Sequence, residues 1–127
     1  MMIVLVVDDE LDMEMLFQQK FRREIKEGKF VLQFAHSGEE ALKFMESHGA
    51  AELVLILSDI NMPGMTGLEL LKRIREKYGW QKVFLVTAYG DDSSRRQAIA
   101  AGADDFVNKP IDFENLKKKM YLALGIA

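Results

Sequence analysis

The run Leu53-Val54-Leu55-Ile56-Leu57-Ser58-Asp59, followed by Ile60-Asn61-Met62-Pro63-Gly64, constrains this chain more than any other stretch. A continuous apolar run of strand length, closed by turn residues, describes a strand buried on both faces. Such strands belong to parallel sheets, and ligands of open parallel sheets bind at the strands' carboxyl ends. Asp59 therefore belongs at the rim of a dry core.

The same signature recurs along the chain. Ile3-Val4-Leu5-Val6-Val7 ends in Asp8 and Asp9, Val83-Phe84-Leu85-Val86 ends at Thr87, and a weaker run, Asp104–Asn108, ends at Lys109-Pro110. Phe30–Ala35 makes a fifth strand. Between the strands, apolar residues recur at helical spacing. Leu11, Met13, Leu16, Phe17, Phe21 and Ile25 mark one amphipathic helix. Ala41, Leu42, Phe44 and Met45 mark the next, opened by a capping box of Ser37 and Glu40. Leu68, Leu71, Ile74 and Tyr78 form a third stripe. Asp91-Asp92-Ser93 offer caps for a helix through Ala101 that Gly102 stops. Asp112 caps a last helix carrying Phe113, Leu116, Met120 and Leu124.

Strand and helix thus alternate five times, at about 25 residues per unit. The alternation predicts an α/β domain over residues 1–127, a doubly wound (βα)5 flavodoxin-like sandwich. Its five-stranded parallel sheet would run in order 2-1-3-4-5, with helices on both faces. At 127 residues, 49% hydrophobic and 29% charged, the chain can bury a core without staples. The absence of cysteine excludes disulfides, thiolate metal sites and Cys nucleophiles and fits a reducing compartment. A net charge of −3 is too mild to indicate nucleic acid as a direct partner. The apolar N-terminus is stopped at once by Asp8-Asp9-Glu10 and is no signal peptide. No run approaches the roughly 18 apolar residues that span a bilayer. The expectation is a cytoplasmic protein without membrane contact. His36 and His48 lack metal-ligand spacing, Lys117-Lys118-Lys119 reads as a solvated helix face, and the eight methionines read as core filler.

In the predicted order the first and third strands lie side by side, so Asp8, Asp9 and Asp59 crowd one pocket with Thr87 and Lys109 near them. Like charges at close range repel unless compensated. Lys109 compensates in part, and a hard divalent cation can compensate the rest. Mg²⁺ prefers oxygen ligands and commonly combines one or two carboxylates with a phosphate. Asp59, ending the central strand, is the best nucleophile candidate for an aspartyl phosphate, with Thr87 and Lys109 placed to hold two phosphoryl oxygens.

These residues resemble the receiver (response regulator) domains of bacterial two-component signalling, which are CheY-like. The matching pieces are Val7-Asp8-Asp9-Glu10, Asp59 through Glu69, Val86-Thr87-Ala88, Ala101 through Phe106, and Lys109-Pro110. The resemblance covers essentially the whole chain. It implies that Asp59 accepts a phosphoryl group from a phosphohistidine of a sensor histidine kinase or phosphotransfer protein. Asp8 and Asp9 would bind Mg²⁺ beside Asp59, with the backbone carbonyl of Asn61 as a further ligand. Thr87 would move toward the phosphoryl group, Phe106 would swing into the space vacated, and Lys109 would pair with the phosphoryl group. The Lys109–Pro110 bond is often cis in this family. An output domain or partner would read the face formed by the fourth helix, fifth strand and fifth helix, through which receivers also pair as homodimers. The chain would be a free-standing receiver or the N-terminal piece of a longer regulator. Many relatives carry Tyr at the position of Phe106, so here the signal must be shape and burial. Tyr89 lies in the loop governing access to the site.

Three rivals share the fold or its chemistry. A phosphatase of the haloacid dehalogenase type needs an acidic residue at position 61, where this chain has Asn61. A flavin or nucleotide module needs a phosphate-binding loop after the first strand, and no such loop is present. A degenerate receiver that only binds partners would not need the complete acidic set.

Overall fold

Strand alternation sorts the core into two halves, one on each side of a single sheet. The computed structural model describes residues 2–48, 52–88 and 92–126. The strands β1 (Ile3–Val7), β2 (Val31–Ala35), β3 (Leu53–Asp59), β4 (Val83–Ala88) and β5 (Asp105–Lys109) are all parallel, in the order β2-β1-β3-β4-β5. This is the order expected from the alternation. Successive side chains on a strand face opposite sides. Val4, Val6, Leu55, Leu57, Phe84, Val86 and Val107 accordingly pack on one face, together with Phe17, Phe21, Leu116 and Met120. Ile3, Leu5, Val7, Ile56, Val83 and Leu85 pack on the other, with Ala41, Met45, Leu70, Leu71, Ile74 and Ala98. β1 is buried along its whole length, and β3 at all but Val54. The β1–β3 register steps by one residue there, because Ile3 pairs with Leu53 but Val4 with Leu55.

Among the described residues six helical segments cover the sheet. α1 (Leu11–Lys20), α2 (Arg22–Lys26) and α6 (Phe113–Leu124) lie on the first face; α3 (Gly38–Ser47), α4 (Gly67–Lys77) and α5 (Asp92–Ala100) lie on the second. The first predicted helix is therefore divided. At Phe21 the backbone leaves helical values (φ −106°, ψ 15°), while its fully buried ring packs against Phe17, Phe30 and Phe113 at centroid distances of 5.7, 5.8 and 6.0 Å. The bonds Phe21 N–H to Phe17 O and Ile25 N–H to Phe21 O still bridge the break, so the change is a kink set in an aromatic cluster. The caps on Ser37, Thr66 and Asp112 each accept the backbone N–H three residues on, as their residue types favour. Gly102 follows α5 at φ +93°. Asp91 and Tyr89 lie outside the described residues.

Three expectations need correction. Leu11 does not join the core stripe, being 66% exposed, and Met15 is not core filler, being 69% exposed. The Lys117–Lys119 run is not simply a solvated face, because only Lys118 is exposed. Lys117 lies 3.3 Å from Oε2 of the buried Glu24, whose same oxygen accepts the Tyr121 hydroxyl at 3.0 Å. Burial works to raise the Glu24 carboxyl, but backbone, Tyr121 and Lys117 hydrogen bonds outweigh it and hold the carboxyl below its ordinary range. Lys119 lies against β5, as described below.

The start of α4 touches the strand that carries Asp59. Gly67 N–H donates to Ile60 O at 2.8 Å, and a Cβ at Gly67 would run into the Asp59 carbonyl oxygen and come within 2.8 Å of Ile60 Cα. Both neighbours are backbone and cannot swing aside. Gly67→Ala is expected to lower stability by about 1–3 kcal/mol, the usual range for overpacking, as read by urea denaturation. An unchanged midpoint would show that α4 is not seated tightly on β3.

Candidate functional site

Sheet order alone gathers the polar strand ends. Val7 pairs with Ser58, so the residues that follow β1 emerge beside Asp59. Asp8 and Asp59 are only 6% and 5% exposed, whereas Asp9 is exposed. One carboxylate oxygen from each of Asp8, Asp9 and Asp59 lies within 4.8 Å of the others. Lys109 reaches in from the end of β5, with its ammonium 2.9 Å from Asp59 Oδ2 and 3.7 Å from Asp8 Oδ2. The Lys109–Pro110 bond is cis. Asp8 Oδ1 accepts the Glu10 N–H at 2.9 Å, and Asp59 Oδ1 accepts the Asn61 N–H at 3.3 Å. The structure thus brings Asp8, Asp9, Asp59, Asn61 and Lys109 to one pocket. His36 lies next to it, its Nδ1 3.3 Å from the Asp8 carbonyl oxygen.

The electrostatics follow from this crowding. Burial pushes the Asp8 carboxyl above its ordinary value, and the Asp59 charge adds to the effect, while the Glu10 N–H and Lys109 oppose it. Burial also works against the Lys109 ammonium, but its hydrogen bond to Asp59 and the charges of Asp59 and Asp8 win and hold its pKa above the usual lysine value. The donor set is all oxygen, anionic and only partly neutralised. Mg²⁺–oxygen distances of about 2.0–2.1 Å place ligands on opposite sides of the ion roughly 4 Å apart, so carboxylate oxygens within 4.8 Å need little movement to share one ion. Asp8, Asp9 and Asp59 fit a hard divalent cation.

Thr87 lies one strand further out, on β4, and Phe106 lies on β5 beyond it. Thr87 pairs in register with Asn108, and its hydroxyl donates to Asn108 Oδ1 at 3.0 Å. Leu85 pairs with Phe106. Residues 85 and 87 of β4 and 106 and 108 of β5 therefore share the sheet face that α5 covers. The sequence reading did not single out Asn108. Its signal was available, since it lies two residues after Phe106 on a parallel neighbour of the strand that ends at Thr87. The partners of Phe106 were missed as well: the Arg95 guanidinium carbon lies 4.8 Å and the Lys119 ammonium 5.3 Å from the ring centroid. They come from α5 and α6, and no local spacing connects them.

A doubly wound parallel sheet with this acidic pocket at its switch point defines a receiver fold. The sequence model of the response regulator receiver domain matches residues 4–121, and the chain belongs to that family, as a receiver domain of the two-component response regulators. It is 35% identical over 124 residues to a cyclic di-GMP phosphodiesterase of Thermotoga maritima, covering 98% of this chain and 31% of that protein. It is 37% identical over 108 residues to the transcriptional regulatory protein ResD of Bacillus subtilis, covering 84% of this chain and 41% of that protein. The chain thus spans less than half the length of these curated relatives. Among solved structures it is similar to the response regulator TrrA of Thermotoga maritima in complex with Mg²⁺–BeF, at 37% identity and TM-score 0.79 over 98% of this chain and all of that one. It is also similar to the signal receiver domain of an HD domain-containing protein of Pseudomonas fluorescens, at 26% identity and TM-score 0.84 over 98% of this chain and 94% of that one. Among the described residues no helix is long and apolar enough to cross a membrane.

The crowding predicts a response to metal. Asp8→Asn removes one buried like charge and is expected to raise the thermal midpoint in metal-free buffer by a few degrees, about what a 1 kcal/mol change produces in a domain of this size. Mg²⁺ should then stabilise the wild type and leave the variant nearly unchanged, as read by differential scanning calorimetry. Equal stabilisation of both proteins by Mg²⁺ would remove Asp8 from the ligand set.

Proposed function

We propose that Asp59 accepts a phosphoryl group from the phosphohistidine of a sensor histidine kinase or phosphotransfer protein. The supporting observation is the pocket itself: a buried Asp59 paired with Lys109 at 2.9 Å, with two further carboxylates whose oxygens lie within 4.8 Å. In the transfer, an Asp59 carboxylate oxygen forms a bond to phosphorus as the phosphorus–nitrogen bond breaks. The electron pair stays on the imidazole nitrogen. Asp8, Asp9 and Asp59, with the Asn61 backbone carbonyl, would hold Mg²⁺, which when bound supplies charge neutralisation at the phosphoryl oxygens. Lys109 is already paired with Asp59 and offers the same ammonium to a phosphoryl oxygen. Hydrolysis reverses the modification as water attacks phosphorus and the acyl phosphate bond breaks. In this reading the domain catalyses only its own phosphorylation and dephosphorylation and is a switch, with no small-molecule turnover.

Phosphorylation adds nearly two negative charges. Thr87 would answer them by leaving Asn108 and turning its hydroxyl to a phosphoryl oxygen. The space beside β4 would then admit Phe106. A phenyl ring carries no hydrogen-bonding group, so the altered surface would be read through shape and burial. The face that changes is α5–β5–α6, which corresponds to the predicted fourth helix, fifth strand and fifth helix. An output domain, a partner protein or a second copy of the chain would bind there, in the cytoplasm. We assign residues 1–127 to a single receiver unit, free-standing or the N-terminal piece of a longer regulator.

Incubation with acetyl phosphate and Mg²⁺ is expected to add one phosphoryl group by intact mass, and Asp59→Asn is expected to add none. Equal labelling of the variant would remove Asp59 as the acceptor.

A further inference from the structure

In the resting protein the Phe106 ring faces a problem of physical chemistry. A phenyl side chain next to an apolar core gains by turning inward. Phe106 is nevertheless only half buried and belongs to neither core cluster, although its register partner Leu85 and its neighbour Val107 are buried. In the switch proposed above the inward space opens only as Thr87 moves, so the inward share in the resting protein depends also on what else holds the ring, and a phenyl ring has no hydroxyl to anchor it outside.

Two cations meet the ring. The Arg95 guanidinium on α5 lies 4.8 Å from its centroid, and the Lys119 ammonium on α6 lies 5.3 Å from it. Both fall within the roughly 6 Å at which a cation is attracted by an aromatic quadrupole. Lys119 is fixed independently of the ring: its ammonium donates to the Phe106 carbonyl oxygen at 2.9 Å and to Asp105 Oδ1 at 3.3 Å. It thus stays on β5 whichever way the ring turns. Arg95 is exposed, and it sits on the helix that covers the face shared by Thr87, Phe106 and Asn108.

We propose that Arg95 and Lys119 are positioning residues that hold the Phe106 ring outward through paired cation–π contacts, so that together they set how much of the resting protein occupies the inward state. The inference rests on the switch reading given above, but the contacts it invokes are those of the resting protein. Each contact, at the strength usual for exposed pairs, should bias the ring about two- to fivefold, and the two together about tenfold. Inward rotation of the ring would release the Arg95 contact from α5, while the Lys119 bonds would keep α6 on β5.

The test measures the inward-to-outward ratio of Phe106 in unphosphorylated protein, by NMR contacts between its ring and the Thr87 methyl. Arg95→Gln and Lys119→Gln should each raise the ratio about two- to fivefold, the double variant about tenfold, and Arg95→Lys should stay near wild type. Progressive fluorination of the Phe106 ring, which drains the quadrupole and keeps the shape, should raise it in the same direction. An unchanged ratio in Arg95→Gln and in the fluorinated series overturns the proposal, and neither of these disturbs the Lys119 bonds to β5. Titration with beryllofluoride and Mg²⁺ separates this proposal from the switch reading. Tighter binding in step with the ratio supports both. A moved ratio with no beryllofluoride response in any variant supports the cation contacts and overturns the phosphoacceptor reading.

Discussion

Asp59 is only 5% exposed, and one ammonium approaches it from the edge strand of the sheet at 2.9 Å. That pair is the constraint on which the rest of the arrangement depends. Ionised groups taken out of water are costly unless paired and hydrogen-bonded. Lys109 is shared between Asp59 and, at 3.7 Å, Asp8, so one positive charge faces two buried negative ones. A further cation, such as the proposed Mg²⁺, would offset the imbalance. The imbalance also makes the pocket a poor source of stability. Stability has to come from the two apolar layers, above all from β1 and β3, whose side chains are buried on both faces. The acidic rim is thus a local liability carried by a well-packed sheet, a common arrangement at functional sites.

Packing explains why the geometry holds. Gly67 lets α4 begin in contact with the backbone of Asp59 and Ile60, and Thr66 caps that helix through the Glu69 N–H. At the other end of the sheet, Arg75 binds the carbonyls of Gln81 and Gly102 and the carboxylate of Asp104, tying together the connections that lead into β4 and β5. The strands bearing Thr87 and Lys109 are anchored far from the pocket. At their carboxyl ends Thr87 and Asn108 add a side-chain hydrogen bond to their strand pairing, the bond that the proposed switch would break.

Much of this was legible in the sequence, for identifiable reasons. Continuous apolar runs that stop at Asp8, Thr87 and above all Asp59 mark buried parallel strands and their ends, a weaker run marks the fifth strand before Lys109, and strand order then follows from the doubly wound pattern. Those signals are local and strong. What escaped was set by tertiary contact. The apolar spacing continues unbroken through Phe21, so nothing local announces the kink. Leu11 and Met15 keep helical spacing but point away from the sheet. Lys117 and Lys119 look like two members of a charge run, yet one meets a buried Glu24 and the other meets β5. Asn108 has an ordinary strand position, and its bond to Thr87 depends on the register of two strands 21 residues apart in sequence.

In the proposed site the carboxylates that follow β1 and end β3 act together on one cation. Two backbone amides report on it directly, because Glu10 N–H donates to Asp8 and Asn61 N–H donates to Asp59. An Mg²⁺ titration followed by ¹H–¹⁵N NMR should shift both amide resonances along a single saturating curve with one shared Kd. Two different affinities, or a shift at one amide without the other, would contradict a shared site.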